Sequence, residues 1–308
     1  MIAVGATAIV LLTTWGGTQY AWGSAQIMVL GAVAAAAVAA FFWVEARAAE
    51  PVLPLHVFRN RNFSLASSMS FLLGLSMFGA LTFLPLYQQT VQHASATGSG
   101  LMLIPLMLGS TVTSLIAGQV TSRSGRYKIL PIIGGAIMAV GMYLLTHLGP
   151  DTSRLTSGMY FVVLGIGMGF LMQITTLIVQ NSVSPRDMGV ASSSRAFFQQ
   201  IGGSIGVAMF GAIFTRRLTA ALSARLTGAH VSAAGGQLDP TKVDQLPGFI
   251  RGGVFYAISH AIDGVFLWAV PASVAVFALA LCIKEIPLRG RQEPPAGATA
   301  EPAQELVH

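Results

Sequence analysis

The sequence predicts an all-α membrane protein with about eight transmembrane helices, and three observations support this fold class. Of its 308 residues, 54% are hydrophobic and only 9% are charged, whereas soluble domains carry about 25% charged residues. The mean hydropathy is +0.69. Several apolar runs reach about 20 residues, which is the length of helix that spans a hydrocarbon core of ~30 Å.

Eight apolar runs are predicted to be spans. The first, residues 1–14, would reach only about 21 Å as a helix, so we expect it to be the remainder of a truncated span. No Lys or Arg stands in it, which argues against a signal peptide. The other predicted spans are residues 25–44, 63–86, 101–120, 129–147, 157–179, 189–214 and 262–283.

Charge placement predicts the orientation of these spans. Lys and Arg concentrate in segments 45–62, 121–128 and 284–291, whereas segments 15–24 and 87–100 contain neither residue. Short loops rich in Lys and Arg stay on the cytoplasmic side. We therefore expect both termini in the cytoplasm, and Trp15, Tyr20 and Trp22 at the outer membrane interface.

The spans divide into a hairpin and a larger unit. Residues 1–50 are predicted to form a two-helix hairpin, and residues 51–283 a six-helix unit made of two inverted three-helix repeats, 63–147 and 157–283. Leucines alternate with Arg217 and Arg225 after residue 214, which predicts an amphipathic helix lying in the outer interface. The Pro/Ala/Glu-rich segment 284–308 is predicted to be a disordered cytoplasmic tail.

The residue inventory excludes several functions. A net charge of +6 would suggest nucleic acid in a soluble protein, but here the cations lie between apolar runs and set orientation, so no nucleic-acid partner is expected. The single cysteine, Cys282, excludes a disulfide framework. No HExxH motif or Cys/His cluster with metal-ligand spacing occurs, so we expect no enzyme, no metal site and no cofactor.

A short basic sequence between two spans carries the first family resemblance. Residues 118–130 read GQVTSRSGRYKIL. Gly118, Arg123, Gly125 and Arg126 resemble the loop signature G-x-L-a-D-R-x-G-R-x-x-x-L of the major facilitator superfamily, in which the loop acts as a conformational latch. Ser122 stands at the acidic position of that signature, which puts the latch in doubt but not the fold.

Strings spread over most of the chain resemble a narrower group, the fourteen-helix drug:proton antiporters. They are WGGTQYAW, EPVLPLHVFRNRNF, LPLYQQTVQHASATGSGL, SRSGRYKIL, RDMGVASSSRAFFQQIGGSIGVAMFGAIF and KEIPLRG. This resemblance implies that residues 1–50 are the helix pair inserted between two six-helix halves. Residues 51–283 would then be the second half, and the first half would be a missing partner.

Polar residues recur on one face of two predicted spans. Gly165, Gly169, Gln173, Thr176 and Gln180 follow each other at three- or four-residue spacing, as do Ser192, Arg195, Gln199, Gly202 and Gly206. The glycines form GxxxG pairs, which favour close helix packing. We predict a substrate path lined by Gln173, Thr176, Gln180, Arg195 and Gln199, with packing alone as the alternative. Arg195 lies within snorkelling reach of the cytoplasmic surface.

These observations lead to a function hypothesis. The resemblance implies a plasma-membrane transporter of bacterial type that exports hydrophobic, often cationic drugs by alternating access and uses the proton gradient. No carboxylate is predicted near the middle of the bilayer, since Asp263 falls at the outer end of its span. Proton coupling would therefore need the missing half. The alternative is a non-transporting membrane subunit or scaffold that works only with a partner chain.

Overall fold

The computed structural model describes residues 23–45, 55–149, 152–225 and 248–285, with a few positions before residue 23. Eight α-helices lie in these ranges. They are α1 (Ala25–Glu45), α2 (Arg61–Thr90), α3 (Ala96–Leu101), α4 (Ile104–Ser124), α5 (Ile129–Leu145), α6 (Arg154–Asn181), α7 (Met188–Arg225) and α8 (Gly248–Leu281). Two 3-10 helices, Leu55–Arg59 and Pro185–Asp187, precede α2 and α7.

The predicted helical membrane fold is confirmed. Five helical segments in the described residues are long and apolar enough to cross a membrane, with α3 and α4 counting as one segment. Shorter apolar helical stretches are Ala25–Ala37 of α1 and helix α5. The apolar side chains that α4 exposes include Met107, Leu108 and Leu115. In a bilayer such side chains face lipid tails or another helix, because an apolar side chain needs no contact with water.

The helices pack as two equivalent sets of three. Helices α2, α4 and α5 form the first set, and α6, α7 and α8 form the second. The first helix of each set packs against the second and third helices of the other, so that α2 contacts α7 and α8 while α6 contacts α4 and α5. This exchange pattern is the one expected of a 3+3 inverted repeat.

Two asparagines and a tyrosine join four elements at one end of the bundle. Asn62 Nδ2 donates to the carbonyl of Lys284 at 2.7 Å, and Asn60 Nδ2 donates to the carbonyl of Ser182 at 2.8 Å. Tyr127, which is fully buried, donates its hydroxyl to the same Lys284 carbonyl at 3.4 Å. The start of α2, the α4–α5 turn and the ends of α6 and α8 therefore lie together.

We call this region the basic end, because exposed or half-buried cations surround it. They are Arg59, Arg61, Arg123, Arg126, Lys128, Arg186 and Lys284. The opposite end of the bundle is called the far end. At the far end Tyr87 donates its hydroxyl to the carbonyl of Gly149 at 2.8 Å, which joins α2 to the segment between α5 and α6.

Two helices extend more than ten residues beyond their predicted spans. Helix α7 does not end near residue 214 but continues to Arg225, because Phe210, Phe214, Leu218 and Leu222 repeat every four residues and are buried. The predicted interfacial helix is therefore wrong for residues 215–225: its apolar side packs against protein and continues α7. Helix α8 likewise begins at Gly248 and not near residue 262.

Buried packing explains the early start of α8. Val254, Ala257, Ile258 and Ala261 are buried and recur at helical spacing, although polar residues between them lower the local hydropathy. Several predictions fall outside the described residues. They are the continuous span 1–14, Trp22 of the aromatic interface, the segment 226–247 and the tail 286–308.

Candidate functional site

The glycines of the α6 stripe bring α6 into backbone contact with α4. A Cβ added at Gly165 would overlap the carbonyl of Leu106, and one added at Gly169 would overlap the carbonyl of Ser110. The contact moves four residues along α6, from Gly165 to Gly169, and four residues along α4, from Leu106 to Ser110. The two helices therefore run parallel, with facing i, i+4 rows. The packing interpretation is thus correct for this part of the stripe.

Gln173 lies one turn further along the same stripe, where α6 contacts α4 through a side-chain hydrogen bond instead of a glycine. Ser114 on α4 donates its hydroxyl to Gln173 Oε1 at 3.3 Å. A Cβ at Gly118 would lie 3.5 Å from Gln173 Nε2. Gly118 therefore lies at the α4–α6 interface, where an alanine Cβ would make an ordinary van der Waals contact with the Gln173 amide.

The end of the α6 stripe reaches α7. Gln180 Nε2 donates to the hydroxyl of Ser192 at 3.2 Å. Thr176, between Gln173 and Gln180, donates its hydroxyl to the Met172 carbonyl of its own helix at 2.8 Å. Such a bond satisfies a hydroxyl inside an apolar helix. Both side chains are half-buried.

Arg195 pairs with Gln199 on α7. Arg195 Nη1 donates to Gln199 Oε1 at 2.9 Å, and Gln199 is only 8% exposed. The Nε of Arg195 is buried and has no hydrogen-bond partner. The spacing of four residues that predicted a common face therefore corresponds to a direct contact, and part of the Arg195 donor capacity is left unused.

The α7 glycines repeat the α6 arrangement against α2. A Cβ at Gly202 would overlap the carbonyl of Phe71, and one at Gly206 would overlap that of Leu75. From the other side, Gly74 on α2 lies against the carbonyl of Gln199. We call the two backbone contacts made by these glycines, α4 with α6 and α2 with α7, the glycine crossings. The five predicted path residues lie on α6 and α7 near these crossings, and the Gln180–Ser192 hydrogen bond connects the two helices.

The basic sequence 118–130 is mostly helical. Residues 118–124 belong to α4, and Gly125 ends that helix with φ +71°, a left-handed value that glycine adopts without strain. Arg123 and Arg126 are exposed, as is Ser122 at the acidic position of the signature. The Ser122 hydroxyl donates to the Gln119 carbonyl of its own helix at 2.9 Å.

Asp263 lies opposite a cation at the far end of the bundle. The side chain of Arg217 on α7 lies over Gly264 and interacts electrostatically with Asp263 on α8. One Asp263 oxygen is buried without a hydrogen-bond partner. Asp263 precedes Lys284 by 21 residues, or about 31 Å of helix. The extension of α8 toward its start leaves this distance from the basic end unchanged.

Sequence reasoning missed two features of the site region. The first is a far-end network in which Gln92 Nε2 donates to the Thr152 carbonyl at 3.1 Å and to the Ser157 hydroxyl at 3.0 Å. The second is a cavity of about 420 Å³ between α2, α7 and the 3-10 helix before α2. Its phenylalanines come from positions 58, 71 and 198, and no local pattern connects such distant positions.

The comparisons with known proteins agree with this architecture. The sequence model of the Major Facilitator Superfamily matches residues 1–207. An uncharacterized MFS-type transporter of Mycobacterium tuberculosis is 42% identical over 288 residues, which cover 94% of this chain and 42% of the relative. The multidrug transporter protein MdtP of Bacillus subtilis is 40% identical over 214 residues, covering 70% of this chain and 39% of the relative.

Other matches extend the comparison. A tetracycline resistance determinant of Streptomyces rimosus is 37% identical over 64% of this chain and 55% of its own length. The chain spans about half the length of the curated relatives it matches. A bacterial homolog of the human lysosomal transporter Spinster, solved in an inward-facing, unoccupied conformation, has the same fold. Its TM-score is 0.58 at 15% identity, over 90% of this chain and 64% of that one.

Proposed function

The chain belongs to the major facilitator superfamily of membrane transporters, and from this premise we propose that it serves proton-coupled efflux of hydrophobic, often cationic small molecules. The expectation that it is not an enzyme agrees with the family. Relatives named as multidrug transporters and a tetracycline resistance determinant support the choice of substrate class. The mechanism would be alternating access about a site within the membrane.

The observation that carries this proposal is a set of hydrogen-bonded polar side chains near the two places where glycines bring helices into backbone contact. Three hydrogen-bonded pairs lie there: Ser114 with Gln173, Gln180 with Ser192, and Arg195 with Gln199. Polar side chains in membrane helices are costly unless they face a partner helix or a water-filled cavity. Amides and hydroxyls that already bond each other can exchange partners with a ligand at small net cost. We propose that Gln173, Thr176, Gln180, Arg195 and Gln199 line the route.

The membrane arrangement belongs to the same proposal. Helices α2 to α8 would form one six-helix transporter half, with α3 and α4 as one span, and residues 1–50 a separate hairpin. The basic end would face the cytoplasm of a bacterial plasma membrane, because clustered Lys and Arg favour that side. Arg123, Gly125 and Arg126 would then lie at the cytoplasmic latch that the family signature marks.

We propose that efflux needs a second six-helix half. The chain spans 42% of its Mycobacterium relative, and α4 exposes a large apolar surface that a facing half would cover. Proton coupling would use a carboxylate of that half. Asp263 lies about 31 Å along α8 from the basic end, which is the full thickness of the ~30 Å hydrocarbon core, so it would lie at the far membrane face and not near the middle. The same surface also supports the second candidate function, a membrane subunit that positions a partner without transporting anything itself.

Liposomes distinguish these candidates. One sample carries residues 1–308 alone, and the other carries the chain coexpressed with a six-helix first half from the same family. We expect drug-induced proton release only from the second sample. Proton-coupled transport by the chain alone would contradict the need for a partner, and absence of transport from both samples would favour the subunit function.

A further inference from the structure

We propose that the outer surface where α5 begins and α8 ends binds the headgroup of an anionic phospholipid. We call this surface the α5–α8 corner. It consists of Lys128 and Ile129 at the start of α5, Leu281 and Lys284 at and just after the end of α8, and Arg126 in the turn before α5. The corner belongs to the basic end and contains none of the five predicted path residues, so this lipid site does not depend on the proposed transport function.

Contacts between distant segments bring the three cations of the corner into one region. Tyr127, which stands between two of them in the sequence, is fully buried and donates its hydroxyl to the carbonyl of the third, Lys284, at 3.4 Å. The two helices are also in close contact, because a Cβ added at Gly135 on α5 would lie 2.9 Å from the Phe277 Cα on α8. Cations from both segments therefore lie at the same end of one helix pair.

The cations of the corner can pair with an anion from outside the protein. Arg126 and Lys284 are exposed and Lys128 is half-buried. None of these three side chains has a hydrogen bond or an ion pair with another described residue. The neighbouring carboxylate, Glu285, is exposed, and three cations with one carboxylate leave a net charge of +2. Clustered Lys and Arg beside a membrane helix attract anionic lipid headgroups.

Exposed apolar side chains lie directly beside these cations, which favours a lipid over a small anion. Ile129 follows Lys128 and is 64% exposed, and Leu281 precedes Lys284 by three residues and is 50% exposed. The apolar surface continues along both helices through Ile133, Val140 and Val274. A phospholipid matches both parts of this surface, because its phosphate pairs with Lys and Arg while its acyl chains cover the apolar side chains. A free phosphate matches only the cations.

The corner lies away from the surface that a first half would cover. On α6, Gly165 and Gly169 contact α4, whereas a Cβ added at Gly167 would overlap the backbone of Met138 on α5. Positions two residues apart on an α-helix point about 200° apart, so α4 and α5 lie on opposite sides of α6. A partner half that covers α4 would therefore leave the exposed face of α5 in contact with lipid.

Native mass spectrometry of the purified, delipidated chain in a neutral detergent tests the proposal without a transport assay. The probe is phosphatidylglycerol, titrated beside phosphatidylcholine with the same acyl chains. We expect the first phosphatidylglycerol to bind at least about fivefold more tightly, since each nearby cation contributes about that factor. Glycerol phosphate, which has the charge but no acyl chain, should not displace it at equal concentration. Displacement by glycerol phosphate would assign the corner to a free anion and would overturn the proposal.

Two charge-matched double variants locate the site. Lys128→Gln with Lys284→Gln should weaken phosphatidylglycerol about 25-fold, or about fivefold per cation, and leave phosphatidylcholine unchanged. The backbone bonds between Lys284 and Asn62 remain in this variant. Arg154→Gln with Arg216→Gln removes two exposed cations at the far end and should change neither lipid. Equal weakening by the two variants would show that net charge alone attracts the lipid, and equal binding of both lipids to the wild type would likewise overturn the proposal.

Discussion

Asn62 and Lys284 exchange two hydrogen bonds across 222 positions of sequence. Asn62 Nδ2 donates to the Lys284 carbonyl at 2.7 Å, and the Lys284 backbone N–H donates back to Asn62 Oδ1 at 3.1 Å. The side-chain amide thus supplies both a donor and an acceptor to a backbone that has just left helix α8. This contact joins the first and last helices of the six-helix unit.

Removing this contact should destabilise the protein. Asn62→Leu leaves the N–H of Lys284 without its partner and leaves the carbonyl with only the longer bond from Tyr127, and one unsatisfied group costs about 1–3 kcal/mol. We expect Tyr127→Phe, which removes only a 3.4 Å bond to the same carbonyl, to cost less than about 1 kcal/mol. Denaturant titration in detergent measures both values, and equal losses would contradict the assigned role of Asn62.

Two neighbouring glutamines should respond oppositely to the same substitution. Gln88 is fully buried and neither amide atom has a hydrogen-bond partner, whereas Gln92 Nε2 donates to Thr152 and Ser157. Gln88→Met removes an unsatisfied amide and should raise the unfolding free energy by about 1 kcal/mol or more. Gln92→Met removes the two Nε2 bonds together with a buried Oε1 that has no partner, and it should lower the unfolding free energy by about 1 kcal/mol. Thermal unfolding of both variants checks the sign, and a destabilised Gln88→Met would show that its amide has partners.

The glycine crossing predicts a second pair of opposite effects on one helix. Gly202→Ala places a Cβ against the Phe71 carbonyl, and overpacking of this kind costs about 1–3 kcal/mol. A Cβ at Gly211, also on α7, meets nothing within 4 Å, so Gly211→Ala should stabilise by about 0.5–1 kcal/mol. If both substitutions stabilise α7, the two helices are not in backbone contact.

Accessibility labelling tests the proposed orientation. In a Cys282→Ala background, Ser124→Cys at the basic end should resist an impermeant maleimide in intact cells, and Ala96→Cys near the far end should react. Both positions are exposed, so burial does not limit labelling. Permeabilised cells provide the control, in which both variants should react. The reverse pattern in intact cells would place the basic end outside.

The polar path predicts selective loss of transport. With a first half supplied, Gln173→Leu should reduce drug export about two- to tenfold, the effect of one lost hydrogen bond, while the folded amount in the membrane stays normal. Gln200→Leu, at an exposed position of α7, should export normally. Cellular accumulation of several fluorescent drugs measures this. Unchanged export by Gln173→Leu would favour packing as the role of the stripe.

Hydropathy predicts the bounds of some helices closely. The span predicted at 25–44 is observed as Ala25–Glu45, whereas the span predicted at 101–120 continues to Ser124, where Gly125 ends the helix with a positive φ. The ends of α7 and the start of α8 could not be predicted this way. There the helix is sustained by Leu218 or Val254 packing against other helices, and a hydropathy window does not register such contacts.

The site was predictable to a similar extent. Helical spacing identified Arg195 and Gln199 as neighbours, because residues four apart meet on any helix. It could not show that Gln173 faces Ser114, which is a contact between separate helices. The aromatic cavity was missed for the same reason, since Phe58, Phe71 and Phe198 become neighbours only after α2 and α7 have packed.

The continuation of α7 past residue 214 gives the helix bundle a rigid feature that is useful for image alignment in electron microscopy. At 38 residues, α7 is about 57 Å long, while a bilayer with its headgroups is about 40–45 Å thick. Leu218, Leu222 and the Arg217 contact with Gly264 keep this extension packed against its neighbours. If α7 stands upright and begins at one membrane surface, it rises about 12–17 Å above the other surface. Single particles of the protein in nanodiscs would carry an intrinsic marker for image alignment, without an antibody fragment or a fused domain.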